Sequence, residues 1–145
     1  MIDEFLAQKE IAIVGVSRNP HKFTTHVYNE LQKKGYHVHA VNPHADSIAG
    51  IPCSRSLREL PQPVDAAFIA VPKRETEDVV KDAVAAGIRR IWIQQWSESP
   101  EAMAFCSSHD VNVISRECIL MFAEPVGAGH RFHRWINKLF GLLPQ

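Results

Sequence analysis

The chain has 145 residues, 46% of them hydrophobic and 22% charged, which suffices for one globular domain with a buried core. Basic and acidic residues balance at 16 each, so no overall charge favours nucleic acid or a membrane, and an anion site has to be built locally. No apolar run reaches the roughly 20 residues that span a bilayer, and the first residues lack a signal-peptide pattern. We therefore expect a cytoplasmic protein without a nucleic-acid or membrane partner.

Short apolar runs at 11–16, 36–41, 66–71, 90–94 and 111–115 are typical of strands buried on both faces. Helical patterns at 25–34, 75–86 and 98–108 separate them, and the first two are predicted to end at Gly35 and Gly87. The segment 43–65 holds four prolines and is predicted to be an irregular crossover with a short helical stretch at 56–60. This alternation predicts a single α/β domain over 1–145 with a mostly parallel sheet.

The last part of the chain carries a helical pattern of its own. Apolar residues recur at i, i+3, i+4, i+7 and i+8, namely at Phe132, Trp135, Ile136, Leu139 and Phe140. We predict a C-terminal helical extension over 126–145 that packs on the sheet or mediates a homodimer.

The three cysteines, Cys53, Cys106 and Cys118, are too few and too widely spaced for a disulfide framework or a CxxC motif. We expect reduced thiols. His37 and His39 share one face of the second strand, but no third ligand accompanies them, so no metal site is predicted.

Ligands of open parallel sheets bind beyond the carboxyl ends of the strands. The residues that follow the predicted strands combine amides and hydroxyls with cations, a set that suits a phosphorylated ligand. The cations are Arg18, Lys22, Lys73, Arg74 and Arg116.

The loop after the first strand is the sharpest feature. Gly15 permits a tight turn and a close backbone approach, and the amides of residues 16–23 precede a helix, where phosphates bind readily. Thr24 and Thr25 are the predicted N-caps of that helix. The loop lacks a complete GxGxxG, so an ordinary strand–helix turn is the alternative interpretation.

An NAD-binding domain usually places an acidic residue at the end of the second strand. Here that position reads Val41-Asn42-Pro43, and the first loop has only one of the three expected glycines. Both observations disfavour a nicotinamide-dependent oxidoreductase. The missing acid suits a ribose that is itself phosphorylated, as in coenzyme A.

The run IAIVGVSRNP at 11–20 resembles the opening of the small stand-alone CoA-binding domain proteins, which are similar to the nucleotide-binding domain of the succinyl-CoA synthetase alpha subunit. The resemblance spans about residues 8–122 and includes IAGIP at 48–52, WIQQ at 92–95 and CILM at 118–121. It implies a Rossmann-like, doubly wound, five-stranded parallel sheet in the order 3-2-1-4-5, with coenzyme A or an acyl-CoA as cofactor.

The resemblance also implies a distribution of site residues along the ligand. The first loop would hold the phosphates through Gly15, Val16, Ser17, Arg18 and Lys22. Phe23 is a further candidate contact beside this loop, and the position of Lys73 after the strand predicted at 66–71 makes it a phosphate candidate by the strand-end rule. The adenosine side would be lined by Val41, Asn42 and Pro43, and the ligand would be walled by Val71 and Pro72. The pantetheine end would meet Gln94, Gln95 and Trp96. Cys118 follows the last predicted strand, so it either faces the site or is a packed loop cysteine.

Trp96 departs from the family pattern, because a small residue, often glycine, is expected there. Its ring would either narrow the pantetheine path or stack on the ligand. The chain also lacks the second domain that supplies the phosphorylated histidine of the synthetase. We therefore interpret it as a binding or regulatory module without catalysis of its own. The alternatives are an enzyme that acts on a nucleotide or acyl-CoA through Cys118, Gln94 or Ser17, and a scaffold that dimerises through its tail.

Overall fold

A computed structural model describes residues 2–17, 22–48 and 50–121. Their helices are α1 (Ile2–Leu6), α2 (Phe23–Lys33), α3 (Lys73–Ala85) and α4 (Pro100–Ser108), with 3-10 turns at Leu57–Glu59 and Ile119–Met121. Their strands are β1 (Glu10–Val14), β2 (His37–Val41), β3 (Ser47–Ile48), β4 (Ile51–Ser54), β5 (Ala66–Ile69), β6 (Arg90–Gln94) and β7 (Asn112–Glu117).

The strands form one mixed sheet in the order β3-β4-β2-β1-β5-β6-β7. All pairings are parallel except that of the two-residue strand β3 with β4. The five strands that the sequence predicted are present, and β6 has the predicted bounds. The Rossmann-like α/β class is therefore confirmed.

The predicted five-stranded order 3-2-1-4-5 is wrong in detail. The third parallel strand along the chain is not 66–71 but β4, which lies inside the segment predicted to be an irregular crossover and pairs with β2. The predicted third strand, observed as β5, pairs with β1 on its other side. With β4 counted, the six parallel strands run 3-2-1-4-5-6.

The central strands are buried on both faces because their alternate side chains point to opposite layers of helices. On one face Ile11, Phe68 and Trp92 pack with residues of α1, α2 and the 3-10 turn at Ile119–Met121. On the other face Ala12 and Ile91 pack with α3, α4 and Leu57. The helices thus cover both faces of the sheet, and the loops lie at the two ends of the strands.

The short helix α1 closes one end of the first face. The ring of Phe5 is fully buried and meets Trp92 edge to face, with 5.4 Å between ring centroids. The Tyr36 hydroxyl donates to the Leu6 carbonyl over 2.9 Å, and Arg90 Nε donates to Glu4 Oε1 over 3.0 Å. The sequence analysis did not predict this helix.

A polar cluster lies at the edge where the parallel strands begin. Glu10 on β1 pairs its two carboxylate oxygens with His37 Nδ1 at 2.7 Å and with His39 Nε2 at 2.6 Å on β2. Gln62 Nε2 also donates to Glu10 Oε2, over 3.0 Å. The hydrogen bonds from the two imidazoles, first that of His39, hold the pKa of Glu10 below its usual value.

The remaining observations concern the cysteines, the helices as candidate membrane spans, and the last 20 residues. Cys53, Cys106 and Cys118 are free thiols, and burial raises the pKa of Cys106 to about 11. No helix within the described residues has the length and apolar character needed to cross a bilayer. The predicted extension over 126–145 lies outside the described residues, so the homodimer interpretation attached to it stays a prediction.

Candidate functional site

The parallel pairing brings the loops that follow β1, β2, β5, β6 and β7 to one edge of the sheet. We call this the carboxyl edge. It carries Gly15, Val16 and Ser17 after β1, Lys22 and Phe23 at the start of α2, and Val41, Asn42 and Pro43 at the end of β2. It also carries Val71, Pro72 and Lys73 between β5 and α3, Gln94, Gln95 and Trp96 at the end of β6, and Cys118 after β7. Arg18 lies outside the described residues.

The turn after β1 is built on a close contact between two backbones. Gly15 has a φ of +109°, and a Cβ at this position would lie 2.1 Å from the Ala70 carbonyl oxygen. The Gly15 amide donates to the Val41 carbonyl over 3.2 Å, and the Ala70 amide donates to the Val14 carbonyl over 3.0 Å. Glycine is therefore needed here so that the turn can pack against the end of β5.

Two side chains hold the carbonyl groups of this turn. Asn42 Nδ2 donates to the Val16 carbonyl over 2.9 Å, and Thr25 Oγ1 donates to the Ser17 carbonyl over 3.1 Å. Both oxygens are thus occupied by donors from the protein. A carbonyl oxygen that faced the site would repel a phosphate, so these two bonds favour an anion at the turn.

Asn42 makes further hydrogen bonds within the protein. Asn42 Oδ1 also accepts a hydrogen bond from the His44 backbone amide over 2.7 Å, and the Asn42 backbone amide donates to the Ser54 carbonyl over 2.9 Å. Its polar groups link β2, β4 and the turn after β1. Asn42 therefore positions the turn, and the implication that it also lines the adenosine side stays a prediction.

The predicted N-caps of α2 are wrong. The helix begins at Phe23, and its N-cap residue is Lys22, whose side chain makes no capping hydrogen bond. Thr24 and Thr25 lie inside the first turn and are buried. The start of α2 still lies at the carboxyl edge, where its backbone amides and the helix dipole favour a negative charge.

Burial limits what two predicted residues can offer a ligand. The side chain of Val16 is fully buried in the core on one face, and Val41 is 2% exposed in the core on the other. These residues can contribute only their backbone atoms. By contrast, Lys22, Lys73, Arg74 and Arg116 are exposed, so the carboxyl edge presents several cations to solvent.

The loop after β6 is held at three points. The Ser97 amide donates to the Gln94 carbonyl over 3.0 Å, and Gln95 Nε2 donates to the Arg116 carbonyl over 3.0 Å. From α3, the fully buried Thr76 donates through Oγ1 to the Ser97 carbonyl over 2.5 Å. Hydrogen bonds therefore tie this loop to β7 on one side and to α3 on the other.

Trp96 in this loop is 86% exposed and has a φ of +72°, a conformation that favours glycine. Its ring extends into solvent and does not pack closely on the described residues of the carboxyl edge. Next to it, Gln94 Oε1 is buried and has no hydrogen-bond partner among the described residues.

The end of β7 is irregular where it faces this loop. Arg116 has a φ of +64°, and the register between β6 and β7 shifts so that Gln94 pairs with Glu117. Trp92 Nε1 donates to the Glu117 carbonyl over 3.0 Å, and burial raises the pKa of the Glu117 side chain. Cys118 is partly buried and packs against the core.

Three residues shape the site in ways that the sequence did not predict: Ala70 and Thr76 were not singled out, and Thr25 was predicted to be an N-cap. Ala70 forms the surface against which Gly15 packs, Thr25 holds the turn, and Thr76 holds the loop after β6. A threonine early in a predicted helix is the available signal for Thr25 and Thr76, because its hydroxyl can reach the loop beside the helix start. Ala70 carries no distinctive signal.

Fold and edge together define a Rossmann-like α/β protein whose strand-end loops could receive an anionic ligand. The family model described as CoA binding domain matches residues 9–124, so the chain belongs to that family.

Three relatives illustrate the family. The chain is 25% identical over 130 residues to the acetate–CoA ligase (ADP-forming) II subunit alpha of Pyrococcus furiosus, covering 82% of this chain but 28% of that protein. It is 28% identical to the uncharacterized protein YneT of Bacillus subtilis, covering 77% and 82% of the two chains. A solved structure of a conserved hypothetical protein from Pyrococcus furiosus has a TM-score of 0.72 and 40% identity, covering 77% and 96%. The chain thus matches small proteins over most of their length and the ligases over a minor part.

Proposed function

We propose that the protein binds coenzyme A or an acyl-CoA at the carboxyl edge and acts as a binding or regulatory module without catalysis of its own. The observation that carries the proposal is the turn after β1, in which Gly15 packs on Ala70 while Asn42 and Thr25 hold the carbonyls. Membership of the CoA binding domain family supports the choice of ligand.

The phosphates are assigned to the turn after β1 and to the helix starts beside it. Lys22 at the start of α2 and Lys73 at the start of α3 are both exposed on this edge. Each lysine adds a positive charge where a helix dipole already favours an anion. Because the chain has no net charge, this attraction is local.

The end of β2 supports coenzyme A over NAD. The first acid after this strand is Asp46, and its Oδ1 already pairs with Arg55 Nε at 3.0 Å. No carboxylate between Val41 and Ala45 is therefore available for the hydroxyls of an unphosphorylated ribose. A ribose 3′-phosphate would meet no opposing acid there.

The pantetheine arm is assigned to the end of β6. Its amide N–H groups need acceptors, and the buried Gln94 Oε1 has no partner among the described residues. A buried acceptor without a donor costs about 1–3 kcal/mol. A rotation of the Gln94 side chain toward a ligand amide would remove that cost.

The packing of the candidate nucleophile supports binding without catalysis. Cys118, the residue singled out as a nucleophile, packs against the core. Incubation with acetyl-CoA should therefore release no free thiol above the buffer rate, and steady release that Cys118→Ala abolishes would support the enzyme alternative.

Isothermal titration calorimetry with coenzyme A, dephospho-CoA, NAD and ATP tests the ligand. We expect coenzyme A to bind most tightly, dephospho-CoA more weakly and NAD not at all. Lys22→Ala and Lys73→Ala should each weaken coenzyme A binding about three- to tenfold. Lys33→Ala, at the opposite end of α2, is the matched control and should bind normally. Saturable binding of NAD alone, or lysine variants that bind coenzyme A like the wild type, would refute the proposal.

A further inference from the structure

Two large hydrophobic side chains are exposed within the described part of the chain, and both lie at the carboxyl edge. Phe23 begins α2 and is 39% exposed, while Trp96 follows β6 and is 86% exposed. Elsewhere in that part, large aromatic residues such as Trp92 and Phe68 are fully buried. A single exposed hydrophobic residue is ordinary on a protein surface, so the case for Trp96 depends on its backbone and its position.

The backbone of Trp96 is strained and fixed at the same time. A left-handed conformation costs a residue with a Cβ roughly 1–2 kcal/mol, and glycine would avoid this cost. Three hydrogen bonds hold the loop nonetheless, from Ser97 to Gln94, from Gln95 to Arg116 and from Thr76 to Ser97. The loop therefore presents the indole ring to solvent from a fixed base, and strain of this kind is concentrated at ligand sites.

The position of Trp96 assigns it to one end of the ligand. In the sheet order, β6 lies two strands from β1, roughly 10 Å along the edge. The end of β2, assigned to the adenosine, lies on the other side of β1. A ligand whose phosphates sit at the Gly15 turn therefore reaches Trp96 with the end opposite to its adenosine, which in a CoA thioester is the acyl group.

We propose that Trp96 is a specificity residue that recognises a hydrophobic acyl group of a CoA thioester, large enough to cover one face of the indole. This inference rests on the proposed function. An acyl chain or aromatic ring laid on the indole removes apolar surface from water on both partners. Free coenzyme A and acetyl-CoA offer no group of that size.

Titration calorimetry with coenzyme A, acetyl-CoA, hexanoyl-CoA and benzoyl-CoA tests the assignment. We expect the wild type to bind the two larger thioesters about tenfold more tightly than coenzyme A. Trp96→Gly removes the ring and relieves the backbone strain, so it should fold. It should lose the preference for large acyl groups, so that its affinities for the four ligands lie within about twofold of one another. Trp96→Phe should keep most of that preference, and Lys33→Ala should keep all of it.

Indole fluorescence gives an independent readout. The difference between wild-type and Trp96→Gly emission should shift to the blue with hexanoyl-CoA and remain unchanged with coenzyme A. Equal losses for all four ligands in Trp96→Gly, or no loss for any, would overturn the assignment while leaving the proposed function intact. An indole already shielded from acrylamide without ligand would also overturn it, because another surface would then cover the ring. Failure of the wild type to bind any CoA compound would overturn both proposals.

Discussion

Replacing Gly15 by alanine should destabilise the fold through a collision at the turn after β1. The new Cβ would lie 2.1 Å from the carbonyl oxygen and 2.9 Å from the carbonyl carbon of Ala70. Both atoms belong to the backbone, so no side-chain rotation can relieve the overlap. The φ of +109° adds the cost of a conformation that residues with a Cβ rarely adopt.

Gly35→Ala separates these two contributions. Gly35 follows α2 with a φ of +89°, and a Cβ there would meet nothing within 4 Å. That variant should lose only the conformational term, about 1 kcal/mol. Gly15→Ala should lose the same term and a further ~1–3 kcal/mol for the overlap. A total near 3 kcal/mol corresponds to a decrease in Tm of about 6–12 °C for a domain of this size.

Urea unfolding followed by tryptophan fluorescence, without ligand, measures both variants against the wild type. We expect Gly15→Ala to unfold at a clearly lower urea concentration than Gly35→Ala, with a similar slope. If the two variants lost the same stability, the close approach to Ala70 would carry no energetic weight. Because of the overlap with Ala70, a bulky residue at position 15 would disturb the fold. Such a variant therefore cannot test binding alone.

Three further variants test other contacts. Asn42→Ala removes the donor to Val16 and should cost about 1–2 kcal/mol and weaken coenzyme A binding up to about tenfold, measured by urea unfolding and calorimetry. Thr76→Val keeps the side-chain shape but leaves the Ser97 carbonyl without this donor, so urea unfolding should show a loss of about 1–3 kcal/mol. The pKa of Glu10 is lowered in the folded chain, so its carboxylate stabilises the fold above its ordinary pKa of 4.5 and less as the pH falls through the lowered value. Glu10→Gln should therefore lower the free energy of unfolding by about 0.5 kcal/mol at pH 6 and by progressively less below pH 4.5. Urea unfolding at each pH measures this loss.

Each of these variants has a matched control. Asn29→Ala on the exposed face of α2 should change neither stability nor binding. Thr76→Ser keeps the hydroxyl and should retain most of the hydrogen-bond energy, so a loss equal to that of Thr76→Val would exclude the bond as the cause. Asp65→Asn removes an exposed acid near the same end of the strands and should change stability at pH 6 by less than Glu10→Gln. A Glu10→Gln effect that persisted unchanged at pH 3 would contradict the electrostatic account.

The sequence predicted the central strands well because burial on both faces makes them continuously apolar. The bounds of β6 agree with the prediction, and the glycines after α2 and α3 end those helices as expected. It failed for β4, which is short and not fully buried and contains Pro52. Proline is tolerated there because β4 lies near the edge of the sheet and pairs with β2 only through Cys53 and Ser54.

The position of the site could be predicted, but its internal contacts could not. Strand ends locate the loops, because every parallel strand ends at the same edge. The contact of Gly15 with Ala70 depends on how β5 lies against β1, which no local pattern contains. Thr25 was assigned to capping because helix boundaries are uncertain by one or two residues. Because α2 begins two residues earlier than predicted, Thr25 lies inside the helix, and its hydroxyl donates to the Ser17 carbonyl of the neighbouring turn.

The packing of Phe5 against Trp92 gives the first helix an importance that its five residues do not suggest. An isolated helix of that length would not persist in water, so α1 depends on its contacts with the rest of the fold, above all on the burial of its phenyl ring. Trimming those residues would open a hole beside the fully buried indole of Trp92. Any redesign of this protein that begins by shortening its amino terminus would therefore act on the interior of the molecule and not on its periphery.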